Sequence, residues 1–341
     1  SKVTYQMSTD VVVWDEAGVT QSENSVFVDP NNNQHILNSN NSESGGSIYG
    51  ANYINSTNAG QNWSGSKLGA GGENDGDPAA CIGLNGRQYI GFITTASGQG
   101  IAYSDNGTTW TPVTIAPGVT YPDLLDKNHL SVDNTSSVYS GNVYTAWTCF
   151  VSGNANNKNI VFSRSTNNGA AWSAQVNISS AIVAGGHNQG VNIQVGPAGQ
   201  VYCIWAVYDV WNPTFFENAI GFAKSTNGGA TFGAATRIHN NIHGIRPSPY
   251  TPTSNVTGKN MRVNSFPSMA VDVSGGAYNG NIYVVWSNLG VPGTNTGTNV
   301  SAYCMLSTNG GTSLGTPVRI NQLTSAKDYA SLFPVITCDP G

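Results

Sequence analysis

Charged residues are scarce in this chain of 341 amino acids. They make up 9% of the sequence, with 13 lysines and arginines against 18 aspartates and glutamates, so the formal net charge is −5. No basic run and no stripe of basic and aromatic residues is present, which argues against nucleic acid as a partner. The low charge, together with abundant glycine, asparagine, serine and threonine, is typical of a β-rich exported protein. We therefore expect a secreted or cell-surface location.

Long apolar runs are also missing. No stretch approaches the ~20 apolar residues that a membrane-spanning helix needs, so we predict no membrane span. Nothing in the sequence suggests a helix of any length. No secretory leader opens the chain, and we expect the sequence to be a mature form or one from which the leader has been removed.

Paired cysteine motifs are absent too. The chain has five cysteines, an odd number, and none forms a Cys-x-x-Cys motif. Most lie inside apolar runs, as Cys203 does within residues 201–205. A buried free cysteine behaves as a small hydrophobic residue, and we predict this state for them. A disulfide between two of them stays open, because the sequence does not give connectivity.

What the sequence does contain is a repeated phrase, a Ser/Thr-rich turn around a glycine followed by a large apolar residue. It occurs five times, at residues 56–63, 103–110, 165–172, 225–232 and 307–314. Asparagine or aspartate can bond the backbone two residues on, and the glycine accepts a positive φ without steric cost. Such a pair between apolar runs is a strong hairpin signal. Its recurrence indicates one supersecondary unit copied along the chain.

The phrase resembles the Asp-box, or bacterial neuraminidase repeat, which has the pattern Ser-x-Asp-x-Gly-x-Thr-Trp and occurs in sialidases and many other propeller proteins. The first copy reads Ser-Thr-Asn-Ala-Gly-Gln-Asn-Trp, asparagine takes the Asp position in four copies, and Leu314 replaces the aromatic residue in the last. The resemblance implies a β-propeller. It also implies a scaffold role for the residue at the Asp position of each copy, namely Asn58, Asp105, Asn167, Asn227 and Asn309.

A second recurring unit lies between these turns, two strands joined by a Gly/Asn turn. Residues 130–133 lead to 139–147, and residues 269–272 lead to 278–286, with alternating apolar residues in each run. Together with one strand into the Asp-box and one out of it, each repeat has four antiparallel strands. Radial repetition of such a sheet is a propeller blade.

We predict an all-β fold, a single propeller over residues 1–341 with six blades of four antiparallel strands. Five blades are expected near residues 22–69, 73–117, 123–181, 187–241 and 262–322. The start of a sixth, incomplete blade is expected at residues 329–341, because residues 331–340 parallel 265–272, and residues 1–21 are expected to supply an N-terminal closure strand. Since a propeller closes its ring to cover its last sheet edge, we expect the native chain to continue beyond Gly341.

The segments that lead into the inner strands of a propeller line a funnel at one face, the usual place for a ligand. In this charge-poor chain, ionisable residues gather in these segments in successive blades. The candidate catalytic residues are Glu23, Asp75, Asp77 and Asp126, and the candidate binding residues are Lys127, His129, His187, Arg262 and Asn264. An alternative stays open, in which each polar group caps its own strand or solvates a loop.

One of these segments also suggests a metal. Residues 74–77 read Asn-Asp-Gly-Asp. Two carboxylates and an amide around a glycine suit calcium, which takes several oxygen ligands, so Asp75 and Asp77 are candidate calcium ligands. The same pattern is common in plain turns, and that interpretation stays open. No other cofactor is indicated.

The resemblance to sialidases implies three arginines that hold a carboxylate-bearing sugar, an aspartate acid/base, and a tyrosine nucleophile paired with glutamate. The first of those arginines precedes the first Asp-box, whereas the first arginine here is Arg87, after Trp63. Lysine does not replace a bidentate arginine well. A standard sialidase mechanism is therefore disfavoured, and no catalytic residue is carried over.

Two functions remain, both with a glycan or polysaccharide as the expected partner. The first is a glycoside hydrolase of the sialidase-like superfamily in which two carboxyl groups act as acid and base. The second is a non-catalytic module that binds carbohydrate or protein within a larger cell-surface protein, and a structural spacer is a weaker third. Two unpaired carboxylates facing each other across a pocket favour the enzyme. Carboxylates committed to backbone caps or calcium favour binding.

Overall fold

The computed structural model describes residues 10–45, 47–182, 186–210, 216–246, 262–321 and 330–338, apart from the side chains of residues 47 and 48. The regular elements in these residues are all β-strands, as predicted. Their sequences are rich in β-branched and aromatic residues, which suit a pleated, buried surface. Residues 201–208, with the sequence VYCIWAVY, are buried along their whole length.

The strands form five antiparallel sheets, which we number blades 1 to 5 in chain order. Blade 1 contains β1 (Thr20–Asp29), β2 (Asn32–Ser44), β3 (Ser47–Ala51), β4 (Tyr53–Ser56) and β5 (Ser64–Ser66). Blade 2 contains β6 (Ala79–Ile82), β7 (Gln88–Ile93), β8 (Gln99–Ser104) and β9 (Thr111–Ala116). Blade 3 contains β10 (Leu124–Val132), β11 (Val143–Phe150), β12 (Asn159–Ser165) and β13 (Val176–Asn177).

Blade 4 contains β14 (His187–Val195), β15 (Val201–Tyr208), β16 (Ala219–Ser225) and β17 (Thr236–Asn240). Blade 5 contains β18 (Ser268–Val271), β19 (Ile282–Val291), β20 (Thr296–Ser307) and β21 (Val318–Arg319). In each blade the strands pair in chain order, and β3 is an additional strand paired to β2 in blade 1.

The blades lie side by side around a common axis. Their first strands contact one another in succession, β1 with β6, β6 with β10, β10 with β14 and β14 with β18. The apolar core lies between neighbouring blades. Trp147, Trp205 and Trp286 occupy matching positions in the second strands of blades 3, 4 and 5 and are fully buried. This radial repetition of four-stranded antiparallel sheets defines a β-propeller.

The number of blades differs from the prediction, because the described residues form five blades and not six. A blade needs four paired strands, whereas residues 330–338 contain no strand. This segment lies against blade 5, where the Ser331 N–H donates to the carbonyl of Val300 over 3.0 Å. At the other end, residues 10–19 contain no strand, and residues 1–9 lie outside the described part. The N-terminal closure strand therefore stays a prediction.

Each blade closes its outer hairpin with the same hydrogen bonds. In blade 3, the Ser165 hydroxyl donates to Oδ1 of Asn167 over 2.8 Å and accepts from the N–H of Gly169 over 2.9 Å. Oδ1 of Asn167 also accepts from the N–H of Ala171 over 2.8 Å. The same three kinds of bond recur at Ser56 and Asn58, Ser104 and Asn106, Ser225 and Asn227, and Ser307 and Asn309. The turn is therefore specified by its own residues.

The turn of blade 2 corrects one residue assignment. Oδ1 of Asn106, and not the carboxylate of Asp105, accepts from the Ser104 hydroxyl and the turn backbone. Asp105 therefore does not take the Asp position of its turn, and its carboxylate instead accepts from Nε and Nη2 of Arg87 over 2.6 and 2.8 Å. This copy has one residue fewer before its glycine, so the residue two positions after the serine is asparagine in all five blades.

The turns also hold neighbouring blades together. Cationic side chains of one blade donate to turn carbonyls of the next: Arg87 Nη1 to Asn168 O (3.1 Å), Arg164 Nη1 to Gly228 O (2.7 Å) and Lys224 Nζ to Gly310 O (3.1 Å). The turn glycines lie against aromatic rings of the preceding blade, Gly229 against Phe162 and Gly311 against Phe222. With positive φ values of 74° and 82° at these glycines, only glycine satisfies both the backbone angle and the contact.

The cysteines agree with their predicted state. All five are free, and Cys81, Cys149 and Cys203 are buried in strands. Across the described ranges, no helix is long and apolar enough to cross a membrane.

We expect Gly311→Ala to destabilise the propeller more than Gly275→Ala. Both glycines have a left-handed backbone, with φ of 82° and 74°, so each alanine carries a strain of about 1–2 kcal/mol. A Cβ at Gly275 would meet no atom within 4 Å, whereas one at Gly311 would overlap the Phe222 ring. Overpacking adds a further ~1–3 kcal/mol at Gly311 alone. Urea unfolding of the two variants measures the difference, and equal losses would contradict the proposed contact between blades.

Candidate functional site

A residue with a left-handed backbone conformation lies near the start of the inner strand in several blades. A β-bulge interrupts the first strand of blades 1, 3 and 4. The first residue of each bulge has a positive φ: Glu23 (55°), Lys127 (53°) and Gly190 (74°). Such a backbone is costly for residues other than glycine and is often found at functional sites. We call this the axial position of a blade.

Blades 2 and 5 have an equivalent position, which the register of their first two strands locates. In blade 2, Gly76 bonds to Ile93 and Ala79 pairs with Gly91, so Asp77 (φ 57°) takes the axial position. In blade 5, the Ser265 hydroxyl bonds to the carbonyl of Ser287, and Ser268 pairs with Val285. Phe266 is therefore the axial residue of blade 5. The five axial positions carry Glu23, Asp77, Lys127, Gly190 and Phe266 in blade order.

The charged side chains at and beside these positions meet in a group that we call the axial cluster, made of Glu23, Asp77, Asp126, Lys127 and Arg262. Nζ of Lys127 donates to Oε2 of Glu23 over 2.7 Å. Nη2 of Arg262 lies 3.5 Å from Oε1 of Glu23. The Asp77 carboxyl group is hydrogen-bonded to both Glu23 and Asp126. The cluster thus joins side chains from blades 1, 2, 3 and 5.

The carboxyl groups of the cluster differ in protonation. Burial raises the pKa of Asp77 to about 8, with Lys127 opposing the shift and Glu23 and Asp126 adding to it. Burial acts on Glu23 as well, but Lys127, the bond from Asp77 and Arg262 outweigh it, so the pKa of Glu23 is lowered. Burial also raises the pKa of Asp126. At neutral pH, a protonated Asp77 therefore lies beside an ionised Glu23.

Neighbouring blades hold the Asp77 backbone on both sides. Its N–H donates to Oδ1 of Asn41 in blade 1 over 2.8 Å, and its carbonyl accepts from Nδ2 of Asn128 in blade 3 over 2.9 Å. Gly76 permits the first contact, because a Cβ there would overlap Oδ1 of Asn41. The position of Asp77 is thus fixed before any ligand arrives.

A second layer orients Asp126. Nε2 of Gln189 donates to Oδ2 of Asp126 over 2.7 Å. The amide oxygen of Gln189 lies 3.2 Å from Nε2 of His187. Burial lowers the pKa of His187 to about 3, so the ring is neutral and donates from Nε2 to the Gln189 oxygen. His187 itself stacks on Tyr208 with ring centroids 4.2 Å apart.

Four of the sequence-predicted site residues lie outside the cluster, and one of them, His187, belongs to the second layer described above. Asp75 is exposed, and its N–H donates to the carbonyl of Ile93. His129 is hydrogen-bonded to blade 4 instead, 3.1 Å from Nδ2 of Asn192. Oδ1 of Asn264 accepts from the N–H of Phe266 over 3.1 Å. These residues hold loops and neighbouring blades in place. This agrees with the alternative interpretation, in which polar groups cap their own strands or solvate loops.

The donor set does not fit the predicted calcium ion. Oδ1 of Asn74 is occupied by the N–H groups of Ala51 and Gly76, and Asp77 is turned into the axial cluster while Asp75 is exposed. Among the described residues, no group of three or more histidine, cysteine, aspartate or glutamate side chains is arranged to hold a metal ion.

Sequence reasoning missed several residues of the site. Gln189, Asn41 and Asn128 hold the carboxyl groups, but an amide in an Asn-rich chain gives no distinct signal. A buried acid was missed as well: Oε1 of Glu217 accepts from the Tyr208 hydroxyl over 2.8 Å and from the Ser265 N–H over 3.0 Å. Burial raises the pKa of Glu217. Its link to the site runs through the stack of Tyr208 on His187.

Two surface depressions lie between strands and blades rather than at the axial cluster. One, of about 230 Å³, is lined by residues 70–73, 92, 94, 95 and 112–114. The other, of about 410 Å³, lies where the end of blade 4 meets blade 5 and includes Phe216, His243 and Asn295. Neither is lined by a residue of the axial cluster.

Comparison with solved structures places the chain among β-propellers. An intramolecular trans-sialidase from leech is 10% identical, with a TM-score of 0.59 over 98% of this chain and 66% of that one. An α-L-arabinanase from Penicillium chrysogenum complexed with arabinobiose is 14% identical, with a TM-score of 0.52 over 88% and 80% of the two chains. A lectin from Aleuria aurantia in complex with a fucosylated sugar is 12% identical, with a TM-score of 0.52 over 92% and 84%. At such identities the likeness shows the fold alone. No family model and no curated protein sequence matches.

Asp77→Asn is expected to change how stability depends on pH. The folded pKa of Asp77 is about 8, against an ordinary value of 3.8. Its contribution to stability is therefore complete below about pH 4 and is lost as the pH rises through 8. Since asparagine does not ionise, the variant should lose less stability than the parent between pH 5 and pH 9.

Denaturant unfolding at these two pH values measures the effect, with Glu43→Gln, an exposed residue of β2, as the control expected to follow the parent. Parallel losses in Asp77→Asn and the parent would show that Asp77 ionises normally.

Proposed function

We propose that this propeller is a glycan-directed protein that hydrolyses a glycosidic bond at the axial cluster. The observation that carries the proposal is the pair formed by a protonated Asp77 and an ionised Glu23 at the centre of the blades. Glycosidases need one carboxylic acid and one carboxylate on the two sides of the bond that breaks. Propellers of similar fold include an arabinanase and a trans-sialidase, which supports the class of substrate by analogy only.

Each residue of the cluster has a role in this proposal. Asp77 donates its proton to the leaving oxygen, because its pKa of about 8 keeps it protonated at neutral pH. Glu23 is the carboxylate that acts as nucleophile or base, and Lys127 keeps it ionised. Asp77 and Glu23 are in hydrogen-bond contact, closer than the ~5 Å of retaining enzymes. A sugar that enters between them must therefore replace this bond with bonds of its own.

The site differs from that of a standard sialidase. Arg87 and Arg164 are bound to turn residues at the opposite end of the blades from the axial cluster, and only Arg262 belongs to the cluster. We also propose that the five turns belong to the Asp-box class and that the protein acts outside the cell. The support for this is the Ser-x-Asn-x-Gly pattern and the charge-poor composition.

A non-catalytic carbohydrate-binding module is the second candidate function. The carboxyl groups of the cluster are committed to Lys127, Arg262 and one another, rather than unpaired across a pocket. Such a set of donors and acceptors also suits hydroxyl groups of a bound sugar. A lectin is among the propellers of similar fold, which again supports the class by analogy.

Asp77→Asn and Glu23→Gln are each expected to abolish sugar release, with a fall of about 10²–10⁴-fold, because each removes one partner of the acid and carboxylate pair. The assay measures reducing ends released from a panel that includes arabinan, fucosylated oligosaccharides and sialosides, with calcium and with a chelator. Asp75→Asn is the matched control, since Asp75 is exposed two residues from Asp77 and should keep parental activity.

Release that survives both substitutions would refute this site. No release by the folded parent, combined with retention of a glycan from the panel, would establish the binding module instead.

The rate of sugar release should follow a bell-shaped pH profile. On the alkaline side, kcat/KM should fall above pH 8, as Asp77 loses the proton that it donates. On the acid side, it should fall only below pH 4.5, the ordinary pKa of a glutamate, because the pKa of Glu23 is lowered. Initial rates between pH 3 and pH 10 measure the profile. An alkaline limb that begins near pH 5 would contradict Asp77 as the proton donor.

A further inference from the structure

The axial position of blade 4 carries no side chain, and a residue of blade 5 fills the space. Gly190 has a φ of 74°, and a Cβ added to it would overlap atoms of the Phe266 ring. The ring therefore lies against Cα of Gly190. Gly190 occupies the position in blade 4 that Glu23 and Lys127 occupy in blades 1 and 3.

The backbone of blade 5 fixes this ring. The N–H of Phe266 donates to Oδ1 of Asn264 over 3.1 Å, and the neighbouring Ser265 hydroxyl is bonded to Ser287. Pro267, the next residue, is buried. Phe266 itself is only half-buried, in contrast to the fully buried Trp286 of the same blade. Phe266 is therefore not a fully enclosed core residue.

Chain neighbours connect the ring to the axial cluster on both sides. Gly190, on which it rests, follows Gln189, and Gln189 donates to Asp126 over 2.7 Å. On the blade 5 side, Arg262 lies four residues before Phe266 and 3.5 Å from Glu23. The axial positions of blades 1 to 3 thus carry charged side chains, whereas that of blade 5 carries a flat apolar ring that also covers the glycine of blade 4.

We propose that Phe266 is a substrate-binding residue, which stacks on the apolar face of a neutral sugar whose hydroxyl groups bond to the axial cluster. The proposal rests on the glycan-directed function proposed above. A sugar ring has a face of C–H groups and a rim of hydroxyl groups, so it matches a flat aromatic surface beside convergent polar groups. An aliphatic chain would leave the donors and acceptors of the cluster without partners.

The charge of the cluster selects the class of sugar. Three carboxyl groups, of Glu23, Asp77 and Asp126, lie with the two cations, and Lys127 and Arg262 both already contact Glu23. Neither cation is therefore left unpaired to hold an acidic sugar. We therefore expect a neutral saccharide to be preferred over a sialylated one.

Calorimetric titration of the full chain with arabinobiose, methyl α-L-fucoside and 3′-sialyllactose tests the proposal. At least one of the two neutral probes should bind more tightly than 3′-sialyllactose. Phe266→Ala should weaken that binding about tenfold, as loss of one stacked ring does, and Phe266→Leu should do the same because it keeps bulk but not flatness. Phe266→Tyr should stay within about twofold of the parent. Phe216→Ala is the control, since this half-buried ring contacts His243 away from the cluster, and it should bind like the parent.

Each outcome separates the two proposals. Unchanged binding in Phe266→Ala, or parental binding in Phe266→Leu, overturns the stacking role and leaves the glycan-directed function standing. Tighter binding of 3′-sialyllactose than of both neutral probes overturns the charge argument. If the folded parent binds no probe and releases no sugar, the proposed function fails and the role of Phe266 fails with it. Thermal unfolding of every variant confirms that it is folded before it is titrated.

Discussion

The close approach of each turn to the preceding blade is the constraint on which the rest of the propeller depends. A serine hydroxyl and an asparagine oxygen shape the turn, and in blades 3, 4 and 5 the turn glycine then lies on an aromatic ring of the preceding blade. The contact repeats in three successive blades and joins each of them to the one before it. Neither the turn nor the ring contact involves a charged group at its centre, which agrees with a chain in which only 9% of the residues are charged.

The axial cluster brings together five charged side chains of a chain in which charged residues are scarce. Three acids and two cations lie at or beside equivalent backbone positions of different blades, so the repetition that builds the fold also brings them together. Their proximity changes their chemistry. Burial keeps a proton on Asp77, whereas Lys127 and Arg262 keep Glu23 ionised. The pKa values of two similar carboxyl groups are thereby shifted in opposite directions, in an environment that neither would have on an isolated blade.

Much of the fold was predictable because its signal is local. The Ser-x-Asn-x-Gly phrase contains its own hydrogen-bond partners, so its recurrence indicated the repeat without any knowledge of distant contacts. Asp105 was misassigned because its copy lacks one residue before the glycine, and the sixth blade was predicted from one segment that resembles a first strand. In the site, the positions of Glu23, Asp77, Asp126, Lys127 and Arg262 followed from blade equivalence. Asp75 and Asp77 are the same type of residue and differ in backbone conformation and direction. The position of the Phe266 ring depends on the absence of a side chain at Gly190. Residue type alone therefore could not predict either placement.

The left-handed backbone at the axial positions has a consequence for how this protein can change over time. Glycine would occupy that conformation at Glu23, Asp77 and Lys127 with less strain, so the chain gives up stability in order to present these side chains. At the same time, four blades share this backbone conformation whatever residue they carry, as the glycine of blade 4 shows. These four positions are thus separate places at which one substitution changes the side chain presented at the axis. A propeller of this kind can change its axial side chains one at a time. Each change is tolerated as long as the free energy of unfolding, to which the turns contribute, stays sufficient.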